Sequence, residues 1–290
     1  MTEGQLNLID NYNSLRDKTN SKDLASMLRF CSLFQSDDEE LYNEFLKIYD
    51  PLSITDVDSF ISLFAKRYDL NTDTDMEQLM YLFIQNDINN GVVYHLNSSA
   101  NFDSIMEQGI GLSAIGLKTE ERQDYEKLQS SIAPELFKKL EPFVGDKSGS
   151  KVYYSCTPIL NARYGDRPEW LKELKINSSI LDEGTPEYDL VHQVLDKYDR
   201  KYDGSGKVLF IFPNPIQLTT SNIEEALKNS SPRDVINMCF SFLEQKDQFT
   251  DKHIPSSSIL AVNLKTCDMY KRSDIGEVEV IKTNMEHKTI

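Results

Sequence analysis

The stretch from Tyr94 to Ile110 reads YHLNSSANFDSIMEQGI. An apolar run, Val92-Val93-Tyr94, ends on His95 and passes into small polar residues at Asn97-Ser98-Ser99. A short helix is expected next, with Phe102, Ile105 and Met106 on one face at i, i+3, i+4 spacing. Gly109 supplies the left-handed residue that ends a helix, and Ile110 packs back. A histidine where a strand opens into a turn can face a cleft and offer a ring nitrogen to a ligand. The same place also suits a histidine that only caps a turn. A second stretch, SKVYYSCTPILNARYGD, runs from Ser150 to Asp166. It reads as a short strand with Tyr153 and Tyr154 on opposite faces, then a helix opened by Thr157-Pro158. Tyr164 follows Tyr153 by eleven residues. A strand-then-helix path can bring two such tyrosines around one flat ring, and stacking on aromatic faces contributes ~0.5–1.5 kcal/mol per pair. Two core tyrosines are the plainer reading of the same pattern.

Other local patterns carry no chemistry. GIGLSA, Gly109 to Ala114, fits G-x-G-x-x-A, but a dinucleotide turn needs a strand before it and a helix is expected there. DGSGKV lacks the first glycine and the last hydroxyl of a phosphate loop. DLNTDTDMEQLM begins like a calcium loop but has Thr74 at the sharp-turn glycine and Met80 at the bidentate glutamate. It reads as a solvated acidic helix start. The cysteines, Cys31, Cys156, Cys239 and Cys267, form no C-x-x-C pair, so neither zinc nor a redox motif is signalled. No metal site is expected.

The whole chain sets the frame for these residues. Its 290 residues allow one or two domains with real cores. The formal net charge is −16, and no basic cluster is visible. Such a field repels polyanions, so nucleic acid is disfavoured as a partner. No apolar run reaches the ~18 residues of a membrane span. The first residues, MTEGQLNLIDNYNS, lack the basic-then-apolar pattern of a signal peptide, so a cytoplasmic location is expected.

The elements that must position the site follow from pattern. Residues 1–88 read as a small helical bundle, built from SKDLASMLRFCSLF, DDEELYNEFLKIYDPL, ITDVDSFISLFAKRYDL and DTDMEQLMYLFIQND. NDINNG, Asn86 to Gly91, is turn chemistry and an expected domain border. Short β-rich runs then appear at 92–96, 151–155, 207–212, 259–264 and 277–281, separated by helical stretches. This is an α+β layout over 89–290. The inserts at 117–145 and 167–206 read as helical, and Trp170 is expected to anchor one of them.

The two tyrosine- and histidine-bearing stretches resemble the ADP-ribosyltransferases of the His-Tyr-Glu class, meaning the poly(ADP-ribose) polymerases and diphtheria toxin. In the polymerases a histidine and a small turn precede Asn-Phe-x-x-Ile-x-x-Gln-Gly-Leu. Here His95 precedes NFDSIMEQGI at the same spacing. Their second pattern is an Ile-Tyr-Phe-Ala strand followed by Lys-Ser-Ala-x-Tyr. Here KVYYS is followed by LNARY. The resemblance covers about residues 90–270.

The resemblance implies split, mostly antiparallel sheets around a cleft that takes NAD, as substrate, in a bent form. It implies that His95 bonds the adenosine ribose and that the Leu96 backbone holds the nicotinamide amide. Tyr153 and Tyr164 would sandwich the nicotinamide ring, and Asn161 falls where the family has a serine bonding the same amide. Asn97 and Ser155 fall inside the two matched stretches and join the expected NAD-binding set. Nicotinamide leaves as the ribose gains cationic character, and a carboxylate near the 2-hydroxyl stabilises such a sugar. The family places a glutamate before an I-P-x-x-x-I step. Here IPSSSIL begins at Ile254, and Asp247 is the best-spaced acid, with Glu244, Gln245 and Gln248 as alternatives.

Asp is one methylene shorter than Glu, and Leu96 stands where the family often has glycine. The missing glutamate argues against polymer building. The expected function is therefore transfer of one ADP-ribose from NAD to a protein target, as a toxin, effector or cellular enzyme would do. Two alternatives stay open: an inactive NAD- or ADP-ribose-binding module of the same fold, and an NAD glycohydrolase.

Overall fold

The run KVLFIFP, Lys207–Pro213, is apolar at nearly every position. A strand that reads this way must be covered on both faces, so it belongs in the middle of a sheet. In the computed structural model it does lie there, as β3. The structure describes residues 57–140, 151–155, 169–243, 248–263, 268–273 and 275–281. The first two expected helices, Asn161, Tyr164, Asp247, Glu244 and Gln245 lie outside these residues.

In chain order the elements are α1 (Val57–Tyr68), α2 (Met76–Phe83), β1 (Val92–Ser98), α3 (Phe102–Gln108), α4 (Glu120–Ser131), α5 (Pro134–Leu140) and β2 (Val152–Tyr154). Then come α6 (Glu169–Asn177), α7 (Pro186–Tyr202), β3, α8 (Thr220–Leu227), α9 (Pro232–Leu243), β4 (Gln248–Thr250), β5 (Leu260–Asn263), β6 (Met269–Arg272) and β7 (Val278–Ile281). The architecture is α+β. Five strands form one sheet in the order β1-β3-β5-β6-β7, and β2 pairs with β4 in a second. Every strand pairing among the described residues is antiparallel.

Three apolar clusters hold the described residues together. The first joins α3 and β2 to β1, β3 and β5 through Val93, Met106, Tyr154, Phe210, Phe212 and Ala261. A second fills the helical inserts, where Trp170 lies edge-on to Tyr125 at 5.8 Å and to Tyr198 at 5.9 Å. Trp170 is thus the anchor its sequence context suggests. The third joins Ile61, Leu79, Met80 and Phe83 to Val235, Ile236 and Phe240. Helices α1 and α2 therefore share a core with α8 and α9, across the border expected at residue 88.

Three sequence readings need correction. The turn expected at Asn86 to Gly91 starts only after Asn89, because α2 runs on into a π-helical turn over Ile84–Asn89. The turn expected at Asn97-Ser98-Ser99 starts later, because β1 stays paired with β3 through Ser98, opposite Lys207. Ladder pairing overrides the low strand preference of Asn and Ser. His95 therefore sits in mid-strand, opposite Phe210, rather than at a strand end. Strands β4 and β6 were not foreseen: QFT and MYKR are too short and polar to stand out.

Helix α3 is held mainly at its end. Ser98 caps the short 3-10 turn Ser99–Asn101 before it by accepting from the Ala100 amide. At its end, His253 Nε2 donates to the Gln108 carbonyl at 2.8 Å, and Arg272 donates to the Met106 and Glu107 carbonyls. These donors satisfy carbonyls that a helix end leaves without partners. Residues late in the chain therefore set where the helix after His95 can lie.

Candidate functional site

A cavity of about 730 Å³ opens between β1, α3 and β2 on one side and the helical inserts on the other. Its size is within the ~300–1,000 Å³ usual for small-molecule sites. His95, Leu96, Asn97 and Tyr153 line it, so four expected site residues from two distant stretches meet in one cleft. Glu121, Lys201, Tyr202 and Lys118 line it from the inserts. These insert residues were not singled out from the sequence, since they lie on ordinary amphipathic helices with no local motif.

The junction between β1 and β2 builds one wall of the cavity. Tyr94 N–H donates to the Ser155 carbonyl at 2.8 Å, and Ser155 N–H donates to the Tyr94 carbonyl at 2.9 Å. Backbone groups alternate sides along an antiparallel strand. Tyr94 points its polar groups away from β3, so Leu96 points its N–H and C=O the same way, over the edge of the sheet and toward the cleft. Ser155 itself is fully buried, and its backbone closes the junction. Its side chain does not line the cavity, unlike the other expected binding residues that are described.

His95 is held by both ring nitrogens. Nδ1 lies 2.6 Å from the Tyr153 carbonyl oxygen, which can only accept, so Nδ1 carries the proton. Nε2 then presents a lone pair and accepts from the Asn97 side-chain amide at 3.2 Å. The ring is partly open to the cleft yet deep in the fold. Burial holds its pKa below the ordinary imidazole value, and the Tyr153 carbonyl, which favours the charged form, only partly opposes this.

This shift has a measurable sign. In the unfolded chain His95 binds a proton near its ordinary pKa of ~6.5. In the fold it does so only at lower pH, so the unfolded state holds more protons between the two values. Its contribution to stability is present above ~6.5 and is lost as pH falls through the folded value. Urea midpoints of the native chain should therefore decline on acidification more steeply than those of His95→Gln. Parallel pH curves for the two proteins would mean that the folded ring is not kept neutral.

Tyr153 stands on the exposed face of β2, 40% exposed, with Tyr154 beneath it in the core. Its ring has an aromatic neighbour not noticed in the sequence: Phe249 of β4, at 6.1 Å and tilted by 53°. Lys151 Nζ lies 4.3 Å from the Phe249 ring centre. Gln248, one of the candidates for the acidic role, is buried and donates to the Phe242 carbonyl at 3.0 Å. Its side chain is used inside the fold.

No group of three or more His, Cys, Asp or Glu is placed to hold a metal ion among the described residues, and no helix there is long and apolar enough to cross a membrane. A scan against protein-family models, a search of curated proteins and a search of solved structures each find no match to the chain.

Proposed function

We propose that the cleft takes NAD and transfers one ADP-ribose to a protein. The observation that carries this reading is the meeting of His95, the outward backbone of Leu96 and the exposed ring of Tyr153 in one cavity of suitable size. The Leu96 N–H and C=O offer a paired donor and acceptor, which matches a carboxamide such as that of nicotinamide. The Tyr153 face suits the flat pyridinium ring. His95 Nε2 accepts from the Asn97 amide, and a ribose hydroxyl would take that amide's place on the same lone pair. The α+β layout with two antiparallel sheets is compatible with the split-sheet architecture that the resemblance implies.

In the proposed reaction the bond between ribose C1′ and the nicotinamide nitrogen breaks. Nicotinamide leaves with the electron pair, which neutralises its ring. The acceptor's nucleophile attacks C1′ and gives up a proton. The residues named here bind and orient, so that reacting atoms are held close and aligned. Asp247, directly before β4 in sequence, is the proposed carboxylate for the cationic sugar.

The test mixes the purified chain with NAD labelled in its adenylate half and a whole-cell extract, while free nicotinamide is followed. Label on a protein band, together with nicotinamide release, is expected. Asp247→Asn is expected to lose both, whereas Glu244→Gln retains them. Nicotinamide without label would replace transfer by NAD hydrolysis. Neither signal would overturn the enzymatic reading and leave a binding module.

A further inference from the structure

A chain of hydrogen bonds leads from His95 into the helical inserts. Asn97 Nδ2 donates to His95 Nε2. Asn97 Oδ1 accepts from the Ser98 amide at 2.8 Å and from Asn101 Nδ2 at 3.0 Å. Asn101 Nδ2 donates its other hydrogen to the Tyr202 hydroxyl at 3.3 Å. The Tyr202 hydroxyl donates to Glu121 Oε1 at 2.9 Å, and Lys201 Nζ donates to the same oxygen at 2.7 Å.

Both ends of this chain accept only, and that fixes the direction of every bond between them. The Glu121 carboxylate is charged: burial opposes ionisation, but Lys201 and the Tyr202 hydroxyl outweigh it and hold its pKa below the usual range. Tyr202 must then give its proton to Glu121 and accept from Asn101. Asn101 therefore turns its amide nitrogen, not its oxygen, toward Tyr202 and Asn97. Asn97 answers with its oxygen and turns its own nitrogen to the His95 ring. From the far end, the Tyr153 carbonyl requires the proton on His95 Nδ1. The two constraints agree on a bare Nε2.

We infer that Tyr202, anchored by Glu121, is a positioning residue that supports the ring orientation of His95 through Asn101 and Asn97, while the Tyr153 carbonyl holds its tautomer. The helical insert is then part of the nucleotide site rather than a cover beside it. Without the Tyr202 hydroxyl, Asn101 loses the partner that fixes its amide, and the Asn97 oxygen keeps only the Ser98 amide as a firm donor. The Asn97 nitrogen is then held less firmly against Nε2, so the His95 ring loses part of its support on that side. The ring of Tyr202 is only 5% exposed and packs within the insert core, so phenylalanine conserves its packing.

The test reads the ring nitrogens of His95 by long-range nitrogen–proton correlation in the full chain, with His95→Gln to assign the signal. The native protein should show Nδ1 protonated and Nε2 bare. Tyr202→Phe should shift the Nε2 signal, because the Asn97 amide is held less firmly against it, and Asn101→Ala should do the same, while Nδ1 stays protonated on the Tyr153 carbonyl. Tyr198→Phe is the control. It lies on the same helix and loses only a hydroxyl that donates to Asp124 at 2.6 Å. Unmoved His95 signals in Tyr202→Phe, or an equal shift in Tyr198→Phe, would overturn the proposal. A second readout rests on the ADP-ribosyl reading: Tyr202→Phe should raise KM for NAD about three- to tenfold, with kcat little changed, as for loss of one hydrogen bond that serves binding. If the chain turns over no NAD, that readout fails with the enzymatic reading, while the ring-nitrogen result still decides the role of Tyr202.

Discussion

Gly109→Ala is expected to cost about 3 kcal/mol or more and to lower the thermal midpoint by roughly 6–12 °C. Gly109 has φ +87° and ψ −167°, a region essentially closed to residues with a side chain. Space is closed as well. An added Cβ would collide with the Ile254 carbonyl oxygen and lie 2.8 Å from His253 Nε2. That carbonyl is already engaged, because Ile110 N–H donates to it at 3.0 Å and Ile254 N–H donates back to Ile110 at 2.9 Å. The bridge ties the end of α3 to the loop before β5, so relief of the clash must open the bridge or shift α3. Cleft geometry should suffer with stability, since α3 follows directly on the His95 strand. Calorimetry of the two proteins checks this, and a midpoint within two or three degrees of native would refute the close approach.

His95→Ala is expected to lower nicotinamide release, read as kcat/KM, on the order of 100-fold. Three things go at once: the ring that faces the cleft, the donor to the Tyr153 carbonyl, and the acceptor that aligns Asn97. The first acts on the ligand directly. The second frees β2 from β1 beyond the Tyr94–Ser155 bridge, and so shifts Tyr153. Because the truncation also removes a hydrogen bond that ties β2 to β1, part of the loss comes from a weakened fold. His95→Gln separates the causes. Its amide can donate to the same carbonyl, so its thermal midpoint should stay nearer native while its turnover remains well below. Release within about threefold of native in both variants would remove His95 from the site and leave the proposed reaction without its main support.

Much of the frame was legible in the chain. Period-two and period-3.6 patterns marked α1, α2, α3, β1, β2, β3 and β5. Such signals are local, because burial of one face imposes its period on the residues that share it. The apolar run of β3 stood out as β-rich, and its place in the middle of the sheet comes from its pairing with both β1 and β5. His95, Leu96, Asn97 and Tyr153 were singled out because the two stretches that carry them resemble a family pattern, and the fold brings the four to one cavity.

What tertiary structure alone decided is how these pieces meet. The alternation that turns the Leu96 backbone to the cleft depends on which edge of β1 pairs with β3 and which with Ser155. That is a choice between two edges of one strand, and no residue type encodes it. β4 is three residues long and exists because β2 offers it a ladder. The linkage of His95 to Glu121 crosses from Asn101 to Tyr202, 101 positions apart in the chain. Local spacing carries no information about a bond of that kind. It forms only when the insert core closes around Trp170 and brings α7 against the β1 turn. The sequence by itself determined the residue chemistry and the elements; the fold determined which polar atoms face one another, because hydrogen-bond direction is settled by contacts between distant parts of the chain.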